Sequence, residues 1–257
     1  MNSRVLSFSG VLAAAFFAAG CATNVEPSTV DLGTSSLSTN SDGEKTTGLP
    51  DGEKPINPED LNSKAAPSDT SAAAEPVADM PVKGEDVGVI ETSKGRIVVM
   101  FYPKKAPKHV ENFKKLANMK FYDGTRFHRC IPGFMIQGGD PNSKDLGKAN
   151  QWGTGGYMQD GKEHMLKAEF NDVKHVRGIL SMARSQDPDS ASSQFFIMHD
   201  TSPSLDGQYS AFGKAVQGLD VVDAIVATGD GNNNGAVEPK NAVVLKSIRI
   251  TKWPIQK

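Results

Sequence analysis

Residues 127–140 read FHRCIPGFMIQGGD. Short runs of apolar and aromatic residues stand on either side of a glycine turn, so Arg126–Ile131 and Phe134–Gln137 are expected as strands. The same texture recurs downstream in Ile179–Ala183, Gln194–His199 and Ala211–Val216, with Gly-rich turns between the runs. Upstream, Val89–Thr92 reads as a strand, Ser93-Lys94-Gly95 as a turn, and Arg96–Tyr102 as a second strand rich in Val and Ile. Pro107 can start a helix, because the N–H it lacks would be unpaired there in any case. Val110, Phe113, Leu116 and Ala117 then recur at helical spacing to about Met119. Leu219, Val222, Ala224, Ile225 and Val226 suggest a second short helix, and Ala242–Lys252 a closing strand. Many short strands with two helices point to an antiparallel barrel, although the pattern alone does not separate a barrel from a sandwich.

Three further stretches follow in order: GILSMAR at 178–184, SASSQFFI at 190–197 and LDGQYSAFG at 205–213. Together with FHRCIPGFMIQGGD they resemble the cyclophilin family over about 87–252. The resemblance implies a mainly β fold, an eight-stranded antiparallel closed β-barrel capped by two α-helices. It also implies peptidyl-prolyl cis-trans isomerase activity on proline-containing polypeptides, with no cofactor and no metal.

The residue types suit that chemistry. Rotation about a peptide C–N bond faces about 18–20 kcal/mol, because resonance shares the nitrogen lone pair with the carbonyl. X–Pro bonds populate both isomers and exchange over tens to hundreds of seconds. No bond is broken, so a catalyst has only to favour the twisted state over both planar ones. That needs an apolar slot for the proline ring, donors for the flanking backbone, and a polar group aimed at the rotating amide.

By resemblance, Arg129 is the catalytic arginine. Its rigid fork of donors can bond the prolyl nitrogen once conjugation breaks, or orient the substrate carbonyl. Gln137 is grouped with it as a catalytic residue that steadies the guanidinium. Phe134, Met135, Phe196 and Leu205 match the family's proline pocket, and Phe212 is expected in the same wall. Gln194, Gly153, Ala183 and Arg184 match groove-lining positions, Arg184 mainly through its backbone and in the manner of bacterial relatives. Phe195 should turn the opposite way from Phe196, into the core. Some relatives carry Trp where this chain has Ser204, and many carry His where it has Tyr209. Tyr209 can still lay a ring over the proline. Inhibition by cyclosporin is expected to be weak. A non-catalytic proline-peptide-binding or chaperone module of the cell envelope would keep the pocket without needing Arg129.

The rest of the chain speaks to location. Its 257 residues begin MNSRVLSFSGVLAAAFFAAGC. One positive residue precedes an apolar stretch too short for an ordinary transmembrane helix, which needs roughly 20 apolar residues. Ala18-Ala19-Gly20-Cys21 resembles the lipobox of bacterial lipoproteins, in which the signal is cut before the cysteine and that cysteine is acylated. Residues 1–20 are thus expected as a signal peptide, and Cys21 as a lipid anchor to the membrane. The expected site is the cell envelope, at the outer membrane facing the periplasm if the host has two membranes. Residues 21–86 read as a disordered acidic tether. Positions 22–86 hold 13 acidic and 4 basic residues and no aromatics, too little apolar surface to offset ordering entropy. A flexible chain of that length spans roughly 40–50 Å.

The folded region, 87–257, carries 17 acidic and 23 basic residues, but no basic stripe with interleaved aromatics, so no nucleic-acid partner is expected. The chain is expected as a monomer. Cys21 and Cys130 lie in very different settings and make no disulfide framework. Cys130 is expected as a buried, inert thiol. Asp230–Gly235 begins like a calcium loop, but Asn241 stands at the twelfth position, where a bidentate Glu belongs. A plain turn is the better reading.

Overall fold

Pro107 does start a helix, and the glycine turns do separate strands, in a computed structural model that describes residues 80–231 and 233–255. The expected signal peptide, Cys21 and the tether up to residue 79 lie outside the described residues. In chain order the elements are β1 (Asp86–Thr92), β2 (Arg96–Phe101), α1 (Pro107–Asn118), β3 (Arg129–Ile131) and β4 (Met135–Gly138). A small hairpin of β5 (Met158–Gln159) and β6 (Lys162–Glu163) follows. Then come β7 (Ile179–Met182), β8 (Phe195–Met198), β9 (Ala211–Gln217), α2 (Leu219–Val226) and β10 (Leu245–Lys252).

Eight strands form one sheet in the order β10-β1-β2-β9-β7-β8-β4-β3, every pair antiparallel. The expected closed barrel is corrected to an open half-barrel, because the two outermost strands, β10 and β3, do not pair with each other. The outer edge of β3 is already occupied. Arg129 bridges Ala236, the Cys130 N–H donates to the Gly235 carbonyl at 2.7 Å, and the Val237 N–H donates to the His128 carbonyl at 3.2 Å. The segment leading into β3 meets the start of β10 around a bridge between Arg126 and Val244, where the Phe127 N–H donates to the Val243 carbonyl at 3.1 Å and the Leu245 N–H to the Thr125 carbonyl at 2.8 Å.

Strand alternation divides the apolar side chains between two clusters. On the inner face Phe113 of α1 meets the rings of Tyr122, Phe195 and Phe212 at 5.2–5.3 Å and that of Phe101 at 5.8 Å. On the other face Met100, Met135, Phe196, Met198, Leu205 and Ala211 gather into a second buried cluster. Phe195 therefore lies in the core, as strand alternation requires. Cys130 is buried too, and burial pushes its thiol up to about 12, so it stays protonated.

α1 has no side-chain cap of its own. Glu169 supplies one from a distant segment, its carboxylate accepting from the N–H groups of Lys108 and His109 at 3.1 and 3.0 Å. A negative group there also complements the helix dipole. α2 starts at Gly218, whose φ of +83° and close approach to the Arg96 carbonyl leave no room for a Cβ. Among the described residues no helix is long and apolar enough to cross a membrane.

Burial also holds three histidines below their ordinary value of 6.5: His109, His128 and His175. Carboxylates beside them (Glu169, Asp140 and Asp206) oppose the shift without overcoming it. The unfolded chain protonates these rings near 6.5, whereas the folded chain resists until lower pH. The unfolded state therefore binds more protons in that window, and stability falls as pH drops through it. The thermal midpoint should be level near pH 7.5 and decline steadily below about 6.5. A midpoint unchanged down to pH 5 would contradict this.

Candidate active site

Register builds the site. Arg129 on β3 pairs with Gln137 on β4, Gln137 with Phe196 on β8, and Phe196 with Ser181 on β7. One cross-strand row thus brings a cation, an amide and an aromatic ring side by side on one face of the sheet, although the residues are far apart in sequence. The row opens into a cleft of about 540 Å³. Arg129, Phe134, Met135, Gln137, Gly153, Ala183, Arg184, Gln194, Phe196, Leu205 and Tyr209 all line it.

Phe212 does not. Its ring belongs to the inner core at 5.3 Å from Phe113, while its neighbour Ala211 faces the cleft-side cluster. The expectation that Phe212 walls the pocket is corrected by the same alternation that separates Phe195 from Phe196.

The guanidinium of Arg129 is tightly held. Its Nε–H donates to the Asn234 carbonyl at 3.0 Å, and Nη2 donates to Asn234 Oδ1 at 2.7 Å. Nη1 faces Gln137 Oε1 at a loose 3.5 Å. Burial lowers the Arg129 pKa while nearby Tyr209 raises it, and arginine's wide margin keeps the group a cation. Gln137 in turn donates from Nε2 to Gln194 Oε1 at 2.9 Å. Gln194 Nε2 donates to the carbonyls of Gly153 and Gly155 at 2.9 and 2.8 Å. The amide chain thus ties the arginine to the opposite rim. Gly153 adopts φ +89°, a left-handed turn suited to glycine, and its N–H donates to buried Asp140.

The apolar end is equally fixed. Phe196 lies parallel to the His175 ring at 6.2 Å and meets Tyr209 edge-on at 5.6 Å. His175 is anchored by Asp206, which accepts from its backbone N–H at 2.8 Å, and by Ser181 Oγ at 3.2 Å. The Arg184 guanidinium lies over the Tyr209 ring at 4.6 Å and over Phe170 at 5.7 Å. Its N–H groups reach the carbonyls of Ser185, Gln186 and Gln208. Arg184 therefore organises the rim with its side chain, beyond the backbone contact expected of it.

Several contributors are absent from the sequence reading. Asp140 sits inside FHRCIPGFMIQGGD, so an acidic side chain within the motif was the available signal. Trp152, Glu163 and Met165 also line the cleft, from a segment whose only regular strands are the short β5 and β6. Nothing local marks Asn234, 105 residues from Arg129. It is the fifth position of the calcium-like stretch, and both of its oxygens face a guanidinium.

A cation beside an apolar slot of Phe134, Met135, Phe196 and Leu205, tied to amides along the rim, has the makings of a peptide groove. Residues 88–253 match the family model described as "Cyclophilin type peptidyl-prolyl cis-trans isomerase/CLD". The chain belongs to the cyclophilin family. This cyclophilin is 41% identical over 182 residues to the "Probable peptidyl-prolyl cis-trans isomerase" of Brucella abortus (strain 2308), an overlap covering 70% of this chain and 86% of that protein. It is 43% identical over 126 residues to the "Peptidyl-prolyl cis-trans isomerase" of Synechococcus elongatus, covering 49% of this chain and 77% of that protein. Among solved structures it resembles a cyclophilin-type isomerase of Cryptosporidium parvum crystallised in the presence of the dipeptide Ala-Pro. Identity is 31% and the TM-score 0.55, over 65% of this chain and 99% of that one.

Proposed function

We infer that this cyclophilin accelerates rotation of X–Pro peptide bonds in exported or envelope proteins and so assists their folding. The observation that carries the reading is the single row in which Arg129, Gln137 and Phe196 stand side by side at one cleft. The proline ring enters the slot of Phe134, Met135, Phe196 and Leu205, where aromatic rings and a flexible thioether close around it. Tyr209 covers the mouth. The N–H groups that Arg129 does not direct to Asn234 and Gln137 are left for the substrate. In a planar amide the prolyl nitrogen has no free lone pair, and on twisting it gains one. A donor fixed beside it therefore binds the twisted state selectively, which is what lowers the barrier. The enzyme should shorten the slow phase of a proline peptide in a protease-coupled assay. A rate equal to the uncatalysed one would reject the reading.

The envelope assignment rests on the N-terminal sequence. Cys21 carries the lipid, residues 22–86 hold the domain off the membrane, and Ala22 after the cysteine favours outer-membrane sorting. Cys21→Ser should move the protein from the membrane pellet to the soluble fraction when its bacterial host is fractionated. Retention in the pellet would contradict lipid anchoring.

A further inference from the structure

We propose that Asn234 is a positioning residue for the isomerase reaction, setting the angle at which Arg129 meets the rotating amide. The proposal rests on the reading that Arg129 acts on that amide. An arginine side chain has four torsions, and a charged fork that swings is a poor transition-state donor. Here the Asn234 carbonyl takes Nε–H and its Oδ1 takes Nη2, at 3.0 and 2.7 Å. Two acceptors from one residue grip one edge of the guanidinium plane, as a carboxylate does, and stop rotation about the terminal bonds. Nη1 then stays on the Gln137 side, at the cleft.

The loop is made to present those oxygens. The Asp230 carbonyl accepts from the N–H groups of Asn233 and Gly235 at 3.1 and 2.9 Å, closing a tight turn. Asn234 adopts φ +49°, a left-handed conformation that Asn tolerates better than most side chains. The next residue fastens the turn to the strand that carries the arginine, since the Gly235 carbonyl accepts from the Cys130 N–H at 2.7 Å. A Cβ on Gly235 would press on the Cys130 carbonyl at 2.7 Å, so only glycine permits this approach. Arg129 and its brace therefore move as one unit.

The test uses the full-length protein in the protease-coupled assay. Asn234→Gly keeps the left-handed backbone and the carbonyl but loses Oδ1. It should lower kcat/KM about tenfold, with peptide Kd changed less than about twofold. Asn234→Asp keeps an Oδ1 acceptor and should restore most of the lost rate. In an Arg129→Ala background, measured at high enzyme concentration, Asn234→Gly should have no further effect, because the partner it positions is gone. The Arg129 Nη–H signals in NMR should be slowed by the wild-type brace and averaged in Asn234→Gly. The proposal is overturned if Asn234→Gly matches wild type, or if the same loss persists in the Arg129→Ala background, which would mark a general loosening of the loop. An active wild type with an unaffected Asn234→Gly would sink this proposal alone. An inactive wild type would sink the isomerase reading as well.

Discussion

Arg129→Ala is expected to remove about three orders of magnitude from kcat/KM while leaving peptide affinity within a few-fold of wild type. A fixed cation that stabilises the twisted amide selectively by about 4–5 kcal/mol contributes on that scale to rate. On the proposed reading the slot of Phe134, Met135, Phe196 and Leu205 supplies most of the substrate grip, and the substitution removes none of those side chains. The loss should therefore fall on kcat, the signature of an interaction made only in the transition state. Arg129→Lys should recover little, because an ammonium is a point donor and cannot engage both Asn234 oxygens in the fork geometry. Protease-coupled rates and a fluorescence titration on one proline peptide check both halves. A variant within tenfold of wild type would contradict the role, and equal losses in rate and affinity would make Arg129 a binding residue.

Phe113→Ala should have the largest effect on stability. The side chain is fully buried and touches the rings of Phe101, Tyr122, Phe195 and Phe212. Truncating a core phenylalanine costs about 3–5 kcal/mol in lost burial and residual cavity. Domains hold about 5–15 kcal/mol in total, so much of the margin disappears. For a domain of this size a calorimetric midpoint lower by about 10 °C is expected. Well below its transition the variant should still isomerise, because these rings lie on the face of the sheet opposite the cleft-side cluster. A fall under about 2 °C would mean that the ring cluster does not hold the core.

What the sequence revealed follows from how local each signal is. α1 and α2 are legible because their apolar residues recur at helical spacing, with Pro107 opening the first, and the hairpin of β1 and β2 because runs rich in Val and Ile flank the Ser93-Lys94-Gly95 turn. Ten cleft residues are legible because they sit inside compact motifs, and Gly153, outside all four, is reached only by resemblance. Phe212 was misplaced although alternation alone, applied from Ala211, would have turned it inward. The expected strand from Arg126 begins only at Arg129. The Arg126 N–H donates instead to Ser143 Oγ at 2.8 Å, an interaction that no strand pattern encodes. β5 and β6 are two residues each and largely exposed, so they carry no hydrophobic period. The open seam depends on residues 235–237 taking the edge of β3, and the Arg129 brace on the turn just before them. Both contacts join segments about a hundred residues apart, where periodicity is silent.

Exchange NMR on a proline peptide saturated with enzyme follows the bound proline bond most directly. There cis and trans populations and their interconversion are read without any coupling protease. With wild type, exchange should run far faster than in free peptide. With Arg129→Ala the peptide should still be bound, its signals shifted, but exchange should fall back towards the free-solution rate. Phe196→Ala should do the reverse, weakening binding while the fraction that binds still exchanges quickly. Rapid exchange on Arg129→Ala at full occupancy would contradict the account.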